Sequence, residues 1–385
     1  GLEKRPKLRF PGFDDPWKVF KAEELFQNIT DKNHPDETVL TIIQGKGTLP
    51  REQAGRNIHY DDASLSNYKK VEQGDFIIHL RSFEGGLEMA NEAGIVSPAY
   101  TILRCKRPHS SLFYGAYFHT DEFINHNLSK SVEGIRDGRQ ISYEAFKWLG
   151  IPYCEPTEQE KISNLFAALN ERIAKQRDLV ESLKKYKRGV VKAIMTKQIR
   201  FVDKNGKPYP EWSACTLQDA VDFLDGQRKP LESADRAKRQ GKYPYYGASG
   251  IIDSIDDYIF DEPLILLGED GANIINRSSP LCFIATGKYW VNNHAHVMRP
   301  HKGQNIRFLR ELLESLDYTR YNTGTAQPKL NQEKCRTIPL SLPIYEEQCH
   351  IADFLAALEH KCAQENEELE GILQTKNALM QQLFI

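Results

Sequence analysis

The side chains with the clearest chemical potential in this sequence are two acids set between glycines and two alternating histidines. Glu269 and Asp270 follow an apolar run in the string Gly-Glu-Asp-Gly, and His294 and His296 would face one side of a strand. Such groups could hold a metal ion or serve a hydrolase as general acid and base. Because no third ligand follows at a defined spacing, a tight turn and two polar strand residues are the favoured interpretation. We therefore expect neither a metal site nor a catalytic site.

Sequence motifs of well-known enzyme classes are also missing. The run Gly45-Lys46-Gly47-Thr48 is too short for a phosphate-binding loop, and the sequence has neither a His-Glu-x-x-His zinc motif nor the Asn-Pro-Pro or Asp-Pro-Pro run of amino-methyltransferases. Seven cysteines without a Cys-x-x-Cys pair indicate reduced thiols and predict a cytoplasmic protein. No apolar run approaches the roughly 18 residues of a membrane span, so we expect no membrane partner.

Two loops of basic and amide residues offer better evidence of binding. Residues 134–140 precede a helix whose N-cap would be Ser142, and residues 323–329 precede one whose N-cap would be Asn331. Free N–H groups at a helix N-terminus favour phosphates, and Arg and Gln side chains can read guanine and adenine edges. Ordinary flexible loops are the alternative. The candidate DNA-binding residues of these loops are Arg136, Arg139, Gln140, Gln327 and Lys329.

Further binding candidates lie on shorter segments of the chain. One pair ends a predicted strand beside a glycine-rich turn, one basic triplet leads into a tyrosine-rich run, and one amide ends the Gly-Glu-Asp-Gly string. Basic residues interleaved with tyrosines suit a nucleic-acid backbone, although each residue taken singly is more often part of a solvated surface. These candidates are Arg81, Ser82, Gln227, Arg228, Lys229, Tyr246 and Asn273.

The elements that must position these residues repeat along the chain. The run 157–197 begins with the capping box of Thr157 and Glu160 and spaces its apolar residues by sevens, which predicts a long amphipathic helix. Adding 189 to each position reproduces the pattern at the end of the chain, so a domain and its helix occur twice. The residues expected to pair the two helices are Ile162, Phe166, Leu169, Ile173, Val180, Leu183, Val190, Ile351, Leu355, Leu358, Leu369, Ile372 and Leu379.

Charge supports the pairing of the two helices. The chain of 385 residues has a formal net charge of −2, which does not by itself indicate nucleic-acid binding. Locally, residues 157–197 carry ten Lys/Arg against five Asp/Glu. Residues 346–385 carry two against eight. Matching apolar stripes with opposite charge suit an intramolecular pair, whereas two independently solvated faces are the alternative. We expect charge reversal at Lys184, Lys185 and Arg188 to loosen the packing.

Short β-branched and aromatic runs predict strands in both copies. The expected strands are 38–43, 75–80, 95–104, 263–267, 281–286 and 294–298, with helices over 113–127 and 305–316. We predict an α+β fold with two similar mixed α/β domains, residues 1–156 and 198–345. A pair of long antiparallel coiled-coil helices, residues 157–197 and 346–385, would separate them in a pseudo-two-fold repeat.

In combination, these features resemble the DNA-specificity subunits of type I restriction–modification systems. The resemblance covers the whole chain and rests on the duplicated plan, the opening Leu8-Arg9-Phe10-Pro11-Gly12-Phe13 with Trp17, and the strings 268–273 and 324–330. The first domain departs from the second, since it lacks Gly-Glu-Asp-Gly and has Gly138-Arg139-Gln140-Ile141 in place of Gln327-Pro328-Lys329-Leu330. Different loops are expected of two domains that read different sequences.

The resemblance implies a non-catalytic subunit whose two target-recognition domains each read half of a split double-stranded DNA site. It implies that the helix pair docks two methyltransferase subunits, through which restriction/translocase subunits join the complex. S-adenosylmethionine, ATP and magnesium would then be bound by those partners and not by this chain. Two other classes stay open: a protein-interaction scaffold with two domains spaced by a coiled coil, and a hydrolase that uses the acids and histidines named above.

Overall fold

The computed structural model describes residues 5–54, 62–134, 140–324 and 327–384 of the chain. The chain divides into two compact units, one formed by Gly1–Asp178 together with Glu367–Ile385 and the other by Leu179–Asn366. Each unit contains one α/β domain and a part of each of two long helices. None of the described helices is long and apolar enough to span a membrane.

The first domain is built from short strands joined by short helices and turns. Its strands are β1 (Lys18–Lys21), β2 (Phe26–Ile29), β3 (Leu40–Ile43), β4 (Gly47–Pro50), β5 (Lys69–Val71), β6 (Phe76–Ile78), β7 (Glu88–Met89), β8 (Gly94–Val96), β9 (Thr101–Cys105), β10 (Val132–Glu133), β11 (Gln140–Ile141) and β12 (Gly150–Tyr153). Its helices are α1 (Ala22–Leu25), α2 (Ser82–Gly85), α3 (Ser111–Tyr117) and α4 (Tyr143–Phe146). The main sheet is antiparallel with the order β2-β9-β6-β7, and β1 pairs with β12.

The second domain has longer strands, which form two four-stranded sheets where the first domain has one. Its strands are β13 (Ser213–Thr216), β14 (Val221–Phe223), β15 (Gln240–Gly247), β16 (Gly250–Ile255), β17 (Phe260–Asp261), β18 (Leu264–Gly268), β19 (Cys282–Ala285), β20 (Lys288–Val291), β21 (Ala295–Pro300) and β22 (Pro339–Leu342). The two long helices are α5 (Pro156–Met195) and α10 (Tyr345–Leu383), and the helices of the domain are α6 (Ser233–Lys238), α7 (Asn273–Asn276), α8 (Ile306–Ser315) and α9 (Gln332–Arg336). One sheet has the order β14-β21-β18-β19 and the other the order β16-β15-β20-β17.

The two domains share one plan, which is the predicted internal repeat. The sheet β14-β21-β18-β19 reproduces the strand order of β2-β9-β6-β7, and β13 pairs with β22 as β1 pairs with β12. In each copy the last strand of the domain leads directly into a long helix. The expected N-caps are also present, because the side chains of Ser142 and Asn331 accept hydrogen bonds from the first turns of α4 and α9.

The two cores differ in composition. The first is aromatic: Phe26, Phe76 and Phe118 are fully buried, and the rings of Phe76 and Phe118 meet edge to face with centroids 5.0 Å apart. In the second domain every residue of β18 is buried, and alternate side chains enter two clusters. Ile265 joins the cluster that contains α8, whereas Leu264 joins the other. Burial on both faces explains why this strand is a continuous apolar run.

In the first unit the long helices pack antiparallel. The rings of Phe166 on α5 and Phe384 just after α10 stack with centroids 5.8 Å apart, and Ile173 packs with Leu369 and Ile372. Positions near the start of α5 therefore meet positions at the end of α10. All the predicted helix-pairing residues are buried or half-buried in their own units.

In the second unit the opposite ends of the two helices meet. Val190 on α5 shares a core cluster with Ile351 and Leu355 on α10. An ion pair accompanies this packing, since Lys187 Nζ lies 3.1 Å from Glu359. Lys187 is a polar residue at an apolar position of the heptad pattern, and its charge is paired with a carboxylate of the other helix.

The ion pairs between the helices differ from those proposed on charge alone. Arg172 lies 2.9 Å from Glu368 on the other helix, but Lys184 pairs with Glu181 on its own helix. The expected loosening of the helix pair by charge reversal at Lys184, Lys185 and Arg188 stays a prediction, although the ion pair of Lys184 lies within its own helix. Net charge identified the complementary helices but could not identify the pairs, because these depend on rotation of each helix about its axis.

Two predicted elements are interrupted in the structure. The single strand expected over 95–104 is two strands, β8 and β9, because Ser97 accepts a turn hydrogen bond from Tyr100 and Pro98 between them has no N–H. The helix expected over 113–127 is α3 followed by a separate π-helical turn, Glu122–Asn127. There the Thr120 hydroxyl accepts from the backbone of Phe123 and starts the second element.

Candidate nucleic-acid interface

In the second domain, two sequence strings singled out by their composition lie side by side. The Gly271 N–H donates to the Pro328 carbonyl at 3.0 Å, and the Leu330 N–H donates to the Glu269 carbonyl at 2.7 Å. Asp270 and Lys329 form an isolated antiparallel bridge between them. The turn after β18 and the loop before α9 are therefore one paired structure beyond the C-terminal end of β18.

The Glu269 side chain joins this paired structure to a third segment. Arg228 donates to Glu269 Oε2 at 2.7 Å, and Lys329 Nζ lies 3.3 Å from Glu269 Oε1. Arg228 also donates to the carbonyl of Ala295 at 2.8 Å. One carboxylate thus brings together two basic segments that are about a hundred residues apart in the sequence.

A buried ion pair contacts this paired structure. His296 Nδ1 is 2.6 Å from Asp225, and its Nε2 is 2.9 Å from the carbonyl of Leu330. Burial opposes a charge on the imidazole, but the interactions with Asp225 and with Cys335 together outweigh it and raise the pKa of His296 to about 10. For Asp225 likewise, burial is outweighed by the combined effect of His296, the Val297 N–H and Arg228, and the pKa of its carboxyl is lowered. His296 is therefore a charged donor at neutral pH.

The alternative of a metal site or a hydrolytic site fits this geometry poorly. Ligand atoms of Asp225, Glu269 and His296 lie within 4.8 Å of one another. However, a doubly protonated imidazole has no lone pair for a metal or a proton, so the cluster is an ion-pair network. His294 lies in the turn before β21 rather than in the strand, and its Nδ1 is 2.7 Å from Asp270. The interpretation that both histidines sit on one strand was therefore wrong.

The candidate side chains of the second domain differ in their exposure and in their internal partners. The side chains of Gln227, Lys229 and Gln327 are exposed and make no hydrogen bond or ion pair within the described ranges. Lys329 is half-exposed beside Glu269, whereas Arg228 is largely buried and committed to carbonyl and carboxylate groups. Arg228 therefore has a positioning role, and the more exposed side chains are those available to a ligand.

Two further candidates of this domain have structural partners. The Tyr246 ring stacks on Phe283 at 5.7 Å and meets Tyr289 edge to face, and burial raises the pKa of its hydroxyl. Asn273 donates to the Ser279 carbonyl and holds the loop after α7 closed. Each is half-buried, so less of its surface is accessible to a ligand.

In the first domain the described candidates also meet at one place. Helix α2, which follows Arg81, packs against β11, which contains Gln140. The Arg81 side chain is exposed and has no ion pair among the described residues, whereas Ser82 is buried and accepts from the His79 N–H. Arg136 and Arg139 lie outside the described residues.

The placement repeats between the domains. The Arg81 segment follows β6 as the Glu269 segment follows β18, and Gln140 precedes Ile141 as Lys329 precedes Leu330. In each case the turn after a central strand contacts the segment before the small capped helix.

Sequence reasoning missed Asp225 and the role of the repeated Glu-Gln pairs. Glu158 accepts two hydrogen bonds from Arg9, at 2.9 and 2.8 Å, and Glu347 accepts one from Arg200 at 3.2 Å. Both carboxylates are buried at the start of a long helix. The recurrence of an acid and an amide at buried helix positions was the available signal, because such groups need partners. Nothing in the local sequence distinguishes Asp225 from an ordinary turn acid.

The fold and the site together define a class of protein. It is a duplicated α/β protein in which each domain presents a surface of polar loops and ends in a long helix. Residues 209–374 match the family described as Type I restriction modification DNA specificity domain. This segment is less than half of the chain, and over it the resemblance to type I specificity subunits predicted from the sequence is confirmed.

Curated relatives support the assignment over part of their length. A putative type I restriction enzyme specificity subunit of Haemophilus influenzae is 32% identical over 148 residues, which cover 38% of this chain and 37% of that protein. The specificity subunit of the type I restriction enzyme EcoprrI of Escherichia coli is 26% identical over 141 residues, covering 36% and 34%. The chain thus spans about a third of the length of the curated relatives it matches.

Solved structures match the fold over almost the whole chain. The type I S subunit of M. genitalium gives a TM-score of 0.57 at 15% identity and covers 99% of both chains. The HsdS subunit of Thermoanaerobacter tengcongensis gives 0.54 at 15% identity and covers 99% of this chain and 98% of its own. The predicted fold class, two mixed α/β domains with a pair of long antiparallel helices, is confirmed.

Proposed function

We propose that this chain is a non-catalytic specificity subunit that binds a bipartite double-stranded DNA sequence. The observation that carries the proposal is the convergence on Glu269, which gathers Arg228 and Lys329 at one edge of the second domain. Exposed Lys and Gln side chains beside a rigid ion-pair network suit phosphate contacts and base-edge contacts respectively. Because the ion pairs of Glu269 with Arg228 and Lys329 form within the domain, these segments are already positioned in the absence of DNA.

Each domain is proposed to read one half-site. In the second domain Gln227, Lys229, Gln327 and Lys329 contact DNA, and Arg228 positions them. In the first domain the corresponding surface is formed by Arg81 and Gln140, to which the sequence adds Arg136 and Arg139. The recognition domains are proposed to span 1–156 and 198–345, with helices 157–197 and 346–385.

The partner subunits follow from the relatives and not from this chain. The matched proteins are named as specificity subunits of type I restriction enzymes, and one similar structure is described in terms of complex assembly of the type I system. We propose that the helix pair of this chain docks two methyltransferase subunits, through which restriction/translocase subunits assemble in the cytoplasm. S-adenosylmethionine, ATP and magnesium would be bound by those partners.

Salt-dependent DNA binding tests the proposal against a protein-interaction scaffold. The full chain is titrated into fluorescent random-sequence duplex DNA at several salt concentrations. A DNA-binding subunit gives affinity that falls steeply with salt, because cations are released from the phosphates, whereas a scaffold gives no such slope. A hydrolase would instead show activity in the purified chain alone. Co-expression with candidate methyltransferase subunits, followed by mapping of methylated adenines, then identifies the target.

A further inference from the structure

The repeat allows equivalent positions in the two units to be compared. Ser110 caps α3 and its N–H donates to Gln159 at 2.9 Å, just as Asn305 caps α8 and its N–H donates to Gln348 at 2.9 Å. Positions on α8 therefore correspond to positions on α3 plus 195, and positions on α10 correspond to positions on α5 plus 189.

In the second unit, four charged side chains lie together where α5 and α10 meet α8. Lys187 on α5 lies 3.1 Å from Glu359 on α10. Arg310 on α8 lies 3.3 Å from Glu359 and 2.8 Å from Glu311. Two cations and two carboxylates thus compensate one another where the two long helices meet α8.

In the first unit the equivalent location keeps only the lysine. Lys376 corresponds to Lys187, but Asn170 stands in place of Glu359. Gly115 and Ala116 stand in place of Arg310 and Glu311. Both carboxylates and the arginine are therefore lost, and the side chains that replace them are smaller and uncharged.

The lost side chains leave a cavity of about 670 Å³, lined by Lys376, Asn170 and Gly115 among others. Asn91 and Asn377 also line it, and Lys46 lies at its exposed rim. Amide groups and an amine around a space of this size suit a small polar ligand better than an apolar one.

Among the residues that the structure describes, no carboxylate compensates Lys376. The nearby acid Glu88 is already used, because it accepts from the backbone of Gly45 and Gly47 and pairs with His119 at 3.2 Å. Lys376 makes no ion pair or hydrogen bond with any described residue. Burial, and then the charge of Arg177, lower the pKa of its amine. An amine in this environment gains from an incoming anion.

We propose that this cavity binds a carboxylate group from outside the domain, which takes the place that Glu359 occupies in the second unit. Lys376 is the ion-pair partner, and the amides of Asn170 and Asn377 donate to the same oxygens. The carboxylate belongs either to a free dicarboxylic acid or to an acidic side chain of a partner protein.

Binding is tested on the full chain by calorimetric titration at constant ionic strength. Glutarate represents the free acid, a capped Gly-Glu-Gly peptide represents the protein side chain, and inorganic phosphate tests the selectivity. Binding of glutarate or the peptide to the wild type supports the proposal, and the tighter of the two identifies the source. Binding of phosphate alone, or of none of the three, overturns the proposal.

Two variants and a control assign the binding to the cavity. Lys376→Met should weaken carboxylate binding about tenfold or more, whereas Lys184→Met, an exposed lysine of α5, should leave it unchanged. Asn170→Glu restores the carboxylate of the second unit and should both raise the melting temperature and abolish binding. Unchanged binding in Lys376→Met, or in a folded Asn170→Glu protein, overturns the assignment of the site.

Discussion

Gln348 Oε1 accepts the backbone N–H of Asn305 at 2.9 Å, which ties the first turn of α10 to the N-cap of α8. The amide nitrogen of Gln348 donates to the Pro343 carbonyl at 2.9 Å, at the start of the same helix. Gln159 makes the same two contacts in the first unit, with Ser110 and with the Cys154 carbonyl. Each long helix is therefore fastened to its own domain through a buried amide.

The buried amide should matter for stability. Gln348→Ala leaves the Asn305 N–H and the Pro343 carbonyl without their partner in a buried site, which costs about 1–3 kcal/mol per unsatisfied group. We expect the free energy of unfolding of the second unit, measured by urea denaturation, to fall by about 1–3 kcal/mol for each group left unsatisfied. Gln374→Ala, at an exposed position of the same helix, is the matched control and should change little. Equal midpoints in the two variants would show that the contact adds no stability.

Lys329 and Arg228 should separate DNA binding from structural support. Lys329→Ala removes a half-exposed cation, so we expect weaker DNA binding and a salt slope smaller by about one, with a nearly unchanged melting temperature. If Lys329 reads a base, the loss at one target position is about 1–3 kcal/mol. Fluorescence anisotropy at several salt concentrations measures both effects. Lys204→Ala, exposed elsewhere in this unit, is the control, and equal behaviour of the two variants would exclude Lys329 from the interface.

Arg228→Ala should instead lower stability. The substitution removes the Arg228 donor from Glu269 Oε2 and from the Ala295 carbonyl, and we expect a cost on the order of 2 kcal/mol in the second unit. Thermal unfolding of the full chain measures it. A variant that melts like the wild type but binds DNA poorly would show that Arg228 contacts DNA and does not position its neighbours.

The His296–Asp225 ion pair should make stability depend on pH. The folded pKa of His296 is raised from 6.5 to about 10, so its contribution is complete below pH 6.5 and is lost as pH rises towards 10. The pKa of Asp225 is lowered from 3.8, so its contribution is lost only as pH falls below that value. Between pH 6 and pH 9 the free energy of unfolding, measured by urea denaturation, should fall by roughly 3 kcal/mol more in the wild type than in His296→Gln.

The control for this pH effect is His360→Gln, which replaces an exposed histidine of α10 and should retain the wild-type pH dependence. If His296→Gln loses as much stability as the wild type between pH 6 and pH 9, the pair does not titrate in that range.

The ion pair between Lys187 and Glu359 should affect the helix pair only modestly. Glu359→Lys places like charges beside Lys187 and Arg310, and we expect a loss of about 1 kcal/mol, because Glu359 is half-exposed. Combining it with Lys187→Glu should recover part of the loss. Lys184→Glu breaks only a pair within α5 and should cost a few tenths of a kcal/mol at low salt. A full double-mutant cycle by urea denaturation measures the coupling, and a zero coupling energy would show that the pair is solvated.

Sequence alone determined the duplicated plan of this protein and much of its secondary structure. The spacing of 189 residues between the two heptad patterns predicted two long helices, and the structure contains α5 and α10. Ser142 and Asn331 were identified as N-caps because capping depends on residues within one helical turn. Such features are local or periodic, so the order of residues is sufficient to reveal them.

Only the tertiary structure decided which distant side chains meet. Glu269 gathers segments that lie about 40 and 60 residues from it, and Lys187 meets Glu359 across two antiparallel helices. The tertiary structure also gives two equivalent lysines different surroundings. The charge of Lys187 is compensated by Glu359, whereas Lys376 lines a cavity. These outcomes depend on helix rotation, strand order and the removal of side chains elsewhere. A pattern along the chain does not contain that information, because the energy of each charge depends on neighbours brought near by folding.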